Sequence, residues 1–132
     1  MNQAGQLYRS QQYSIAMYLA GVAVECMLRA FHFDREFDDR HNIELMFGAC
    51  DSEKLGEAAK VKMRGPIQTV HLLWQNRYRF FSESRLRAHI QAIRQDKRGV
   101  FPGADFLKVR CRDLHDASNA IITVGVERWQ QI

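Results

Sequence analysis

The sequence predicts an all-α protein, an antiparallel bundle of four or five helices forming one domain over residues 1–132. Three observations carry that expectation. Apolar residues recur at three- and four-residue intervals along most of the chain, the spacing of one helix face. No segment alternates apolar and polar residues for long enough to build a sheet. With 132 residues, 46% of them hydrophobic, and only two prolines and eight glycines, the chain has material for one sizeable core and no linker, low-complexity tract or evident repeat.

The first helix is expected to start between Gln3 and Ser10 and to run to about Phe31, with Leu19, Ala23, Met27 and Ala30 on one stripe and Ala16, Ala20 and Val24 beside it. So wide an apolar face marks a central helix. Its wholly apolar or glycine block, residues 15–24, is short of the roughly 20 residues that cross a bilayer, so no membrane span is expected. Arg9, this block and the small pair Gly21 and Ala23 imitate a signal peptide, but Glu25, Arg29 and a helix-forming continuation follow at once. A loop through "HFDREFDDR" leads to a short helix over "NIELMF" that Gly48 closes. Asp51 or Ser52 caps a helix through Met63, "RGP" breaks it, and Pro66 opens the next one, which carries "IQTVHLLWQNRY". Another helix spans about Ser84 to Asp96, with Leu86, Ile90 and Ile93 inward and Arg87, Gln91, Arg94 and Arg98 on a neighbouring basic stripe. After the "GVFPG" turn, Asp105 caps a final helix reaching Trp129, whose stripe is Leu107, Cys111, Leu114, Ser118, Ile121 and Gly125.

Charge is segregated along the chain. Residues 34–57 carry eight acids against three bases, and residues 77–98 carry seven bases against two acids, inside a total of +4. An acidic end and a basic end steer a polyanion to one face or dock two proteins by opposite charge. Cys26, Cys50 and Cys111 are odd in number and widely spaced, which argues against a disulfide framework and a zinc site and suits a reducing cytoplasm. No metal-ligand spacing and no glycine-rich phosphate loop is present, so no cofactor is expected.

The stretch "YSIAMYLAGVAVECMLRA" at residues 13–30 resembles the first long helix of the HEPN domains, small all-helical domains named for higher eukaryotes and prokaryotes nucleotide-binding. His41 in "RHNIEL" resembles the family's histidine before a short helix, and Trp74, Arg77 and Tyr78 in "WQNRY" resemble its tryptophan followed by an Arg-Tyr pair. Order and spacing match over about two thirds of the chain. Within that frame Glu25, Arg29 and Tyr78 are structural polar residues: a carboxylate in an apolar helix needs a partner, and Arg29 one turn on or Arg77 is the candidate.

Many HEPN proteins are metal-independent endoribonucleases whose site, an Arg followed by four to six residues and a His, is completed across a dimer cleft. A histidine titrating near neutrality serves as general acid or base, and the arginine stabilises the phosphate in transit. Three pairs fit the pattern: Arg35 and His41, Arg64 and His71, Arg110 and His115. So short a pattern is readily met by chance. Position in the family favours Arg110 and His115 as the catalytic pair, although Cys111 stands where the family places a polar residue, and a separation of five turns the two side chains roughly 140° apart on a helix.

The basic segment fits a different role. Arg77, Arg87, Arg94 and Arg98, with Trp74, Tyr78, Phe80 and Phe81 nearby, match the recipe for single-stranded RNA or nucleotide, charge for the backbone and aromatic faces for bases, and His89 lies where it could touch a phosphate. The leading expectation is a HEPN-like binding and assembly module. The resemblance implies a homodimer, with a nucleotidyltransferase or antitoxin as a further partner in a bacterial toxin–antitoxin or defence system. The alternative is an endoribonuclease toxin.

Overall fold

The computed structural model, which describes residues 3, 13–32, 40–95 and 106–132, is a helical bundle. Its elements are α1 (Tyr13–Ala30), α2 (Ile43–Gly48), α3 (Ser52–Leu55), α4 (Glu57–Leu73), a 3-10 helix (Asn76–Phe80), α5 (Glu83–Gln95) and α6 (Phe106–Gln131). No strand occurs among the described residues; the one bridge is an isolated pairing of His32 with Cys50. Helix α6 is the hub. It packs along both α1 and α4 and carries α5 on its flank, while α2 joins α1 to α4 and the 3-10 helix lies on α1.

The core follows from three faces at helical spacing. Ala59, Met63, Ile67 and Val70 are buried on α4, and Leu107, Cys111, Leu114, Ser118 and Ile121 on α6. On α1 the buried face is Tyr13, Ala16, Met17, Ala20, Val24 and Leu28. The stripe of Leu19, Ala23, Met27 and Ala30 is therefore not the core face: the first three are half-buried and Ala30 is exposed. Because α1 is apolar on nearly every side, its composition left the orientation open, and the large side chains Tyr13, Met17 and Leu28 decided it. By length and composition α1 also passes for a membrane span, yet half of it is buried inside the bundle.

Local chemistry sets the boundaries. Asn42 caps α2, its side chain accepting from Leu45 N at 3.1 Å, and Asp51 caps α3, accepting from Glu53 N at 2.9 Å. Gly56, at φ 81°, parts α3 from α4. Arg128 of α6 donates to the carbonyls of Lys54 at 2.7 Å and Glu53 at 3.0 Å, satisfying from outside the acceptors at the end of α3.

The expected break at "RGP" does not occur, and α4 runs on through Pro66. A mid-helix proline costs about 3 kcal/mol, through the lost hydrogen bond and the ring's clash with the preceding turn. Lys62, whose carbonyl loses that donor, is an exposed residue, and solvent access lowers the cost of the lost bond. Met63, Ile67 and Val70 keep one buried face continuous across the proline, each contributing about 1.5–3 kcal/mol. The expected helix over "WQNRY" is also absent. Helix α4 stops at Leu73, Trp74 turns extended (φ −105°, ψ 139°), and the chain resumes as the 3-10 helix. That turn buries the Trp74 indole against Gly21, where any side chain on α1 would collide with it. The start of the first helix, the loop 33–39 and the segment 96–105, with the Asp105 cap, fall outside the described residues.

Candidate functional site

The 3-10 helix, the first turns of α5 and the first half of α6 meet around Tyr78. The tight 3-10 turn lets Tyr78 point inward, where it is 1% exposed, while Phe80 is turned outward at 68%. Leu86 and Ile90 anchor α5 in the core, and His89, one turn from Leu86, is brought beside the aromatic rings. Its ring centroid is 5.9 Å from that of Tyr78 and 5.6 Å from that of Phe81, both edge-on.

Cations surround this aromatic group. The guanidinium of Arg85 sits 4.3 Å from the Phe81 centroid and that of Arg77 5.7 Å from it, on the same ring. Arg77 also donates to the Gln75 side-chain carbonyl. From α6, Arg110 donates to the Leu72 carbonyl at 3.4 Å and lies against the Tyr78 hydroxyl without meeting the geometry of a hydrogen bond. Burial raises the Tyr78 pKa, and Arg110, through its charge and as a nearby donor, and the charge of Arg77 partly oppose it. Burial likewise lowers that of His89, helped by the fields of Arg77, Arg110 and Arg85, so its imidazole is held neutral at neutral pH.

Three polar atoms in this nook, the Tyr78 hydroxyl, His89 Nε2 and Arg110 Nε, are buried with no hydrogen-bond partner. A buried polar group left unsatisfied costs about 1–3 kcal/mol, and these three lie among the charges of Arg77, Arg85 and Arg110. Trp74 Nε1 and Ser118 Oγ are also unpartnered, but Trp74 is committed to its contact with Gly21, and Ser118 lies on the core stripe of α6.

The other residues singled out by sequence are spread over the bundle. Arg87 is exposed and lies 5.9 Å from the Tyr13 ring centroid, beside rather than within the nook. The side chain of Arg94, and Arg98 altogether, fall outside the described residues. Arg110 and His115 face different neighbours: Arg110 reaches Leu72 and Tyr78, whereas His115 Nε2 accepts from the Asn119 amide at 3.2 Å on its own helix. Arg85 was not singled out by sequence at all, and the role of Arg110 beside Tyr78 was not foreseen either. A usable signal for Arg85 was its place one residue before the anchoring Leu86, on the turn that follows "RYRFF".

Glu25 forms a second polar centre. It is 3% exposed and meets Arg29 at 3.1 Å and His41 Nδ1 at 3.0 and 3.2 Å. Arg77 is therefore not its partner. Arg40 and His41 have φ of 50° and 60°, a conformation disfavoured for side chains of their size, and the bond to Glu25 helps to hold His41 there. His32 is buried and bonds the Met46 carbonyl at 2.9 Å, tying the end of α1 to α2. His71, half-buried, pairs with Glu44 at 3.6 Å when protonated. Among the described residues no group of three or more His, Cys, Asp or Glu side chains is placed to hold a metal ion. Comparison with protein-family models, with characterised proteins and with solved structures returned no match.

Proposed function

We propose that this chain is a HEPN-like binding module that contacts single-stranded RNA or nucleotide through the face built by the 3-10 helix and α5. The observation that supports the reading best is the stacking of Arg77 and Arg85 on one Phe81 ring, beside the outward Phe80. Guanidinium groups held by an aromatic plane serve phosphate, and an exposed aromatic ring serves a base. Binding is preferred to cleavage because the Arg and His pattern is readily met by chance and Cys111 stands where the family places a polar residue.

The module is proposed to work as a homodimer, alone or with a nucleotidyltransferase or antitoxin, in a bacterial toxin–antitoxin or defence-type system. A groove between α1 and α6 supports an assembly role, being lined by Ala23, Met27, Val126 and Trp129, the last 54% exposed. Fluorescence anisotropy with a labelled single-stranded RNA tests the RNA reading. The affinity is expected to fall with salt at a log–log slope of about −0.7 for each phosphate contacted, and Arg77→Ala to make that slope shallower by about one contact, with the RNA full-length on a denaturing gel afterwards. A salt-independent affinity, or cleavage of the RNA, overturns it.

A further inference from the structure

We infer that the nook between the 3-10 helix, α5 and α6 is a pocket for a phosphate monoester, formed by the Tyr78 hydroxyl, His89 Nε2 and Arg110 Nε; it rests on the nucleotide- or RNA-binding reading and narrows it to a terminal phosphate. The observation behind it is separate from the surface stacking. These three atoms come from three different elements, each is buried, and each lacks a hydrogen-bond partner. A Tyr hydroxyl and an Arg Nε–H both donate to an oxygen anion, and neutral His89 donates as well in its Nε2–H tautomer. Arg77, Arg85 and Arg110 supply the positive field for a dianion.

The number of donors chooses among phosphates. Among the described residues, Trp74, Tyr78 and Leu86 are buried, whereas Arg77 and Arg85 are exposed to an incoming ligand. An internal phosphodiester carries a nucleoside on two of its oxygens and has only two left for three donors. A monoester carries one, presents three oxygens inward, and leaves its nucleoside outside near Phe80. The three polar atoms are buried from solvent.

The chemistry is shared by a free nucleoside monophosphate and by the 5′-phosphorylated end of an RNA, and calorimetry on the full chain separates them. The probes are AMP, adenosine, and one oligoribonucleotide prepared with a 5′-phosphate and with a 5′-hydroxyl. Tyr78→Phe removes only an unsatisfied hydroxyl, so the variant folds at least as well as the parent. AMP is expected to bind at least tenfold more tightly than adenosine, and Tyr78→Phe to lower its affinity about tenfold while leaving the 5′-hydroxyl RNA unaffected. A tenfold preference for the 5′-phosphorylated RNA assigns the pocket to an RNA end. Binding of AMP with neither RNA assigns it to a free nucleotide, and the RNA reading then falls while the pocket stands. Equal binding of both RNAs without discrimination between AMP and adenosine overturns the pocket and leaves RNA binding intact. If no probe binds, both fall.

Discussion

Gly21→Ala is a substitution for which local and tertiary physics predict opposite signs. Gly21 lies in the middle of α1, and alanine there gains about 1 kcal/mol of helix propensity over glycine. The added Cβ, however, would overlap three atoms of the Trp74 indole, a rigid ring 4% exposed that cannot leave without emptying part of the core. Overpacking of this kind costs about 1–3 kcal/mol, and a clash with ring atoms rather than the end of a flexible chain belongs at the upper end. The net loss is expected at about 1–2 kcal/mol, or roughly 4–8 °C in Tm for a domain of this size. Gly48→Ala is the internal control: it lies in the last turn of α2, with nothing beyond its own helix and chain neighbours within 4 Å of an added Cβ, so the same change should stabilise by about 0.5–1 kcal/mol. Thermal melts followed by circular dichroism read both. If Gly21→Ala raises Tm as Gly48→Ala does, the packing of Trp74 against α1 is wrong.

Two further expectations concern charge. Glu25→Gln should cost about 1–3 kcal/mol in urea denaturation, because a buried carboxyl loses Arg29 and His41 together; Glu57→Gln, whose pair with Arg64 is exposed at both ends, should stay within about 0.5 kcal/mol, and equal costs for the two would refute the structural role of Glu25. His89, whose pKa is lowered by burial and then by the fields of Arg77, Arg110 and Arg85, titrates below 6.5 when folded, so the unfolded chain takes up the proton first as pH falls; stability is full above about pH 6.5 and declines below it. His89→Gln should therefore reduce the loss in urea midpoint between pH 7.5 and pH 5.5, and an unchanged loss would remove His89 as its source.

What could be read from the residues alone was whatever depends on near neighbours in the chain. The helical period of α6, the cap at Asp51, and the inward positions Leu86 and Ile90 each follow from spacings of a few residues, and the structure places them as those spacings require. Glu25 was legible as a carboxyl in need of a partner, but only Arg29, one turn away, could be found by counting. His41, sixteen residues on, became its second partner because residues 40 and 41 take a left-handed turn that no local preference demands. Pro66 misled for the complementary reason: its local cost is real, and burial of Met63, Ile67 and Val70 outweighs it. The nook around Tyr78 lay furthest from view. His89 and Arg110 belong to different helices, and Tyr78 reaches both only after Trp74 ends α4 early and docks on Gly21. Periodicity reports which side of a helix is apolar, whereas which polar groups meet is decided by contacts between elements, whose free energies depend on distances that sequence separation does not encode.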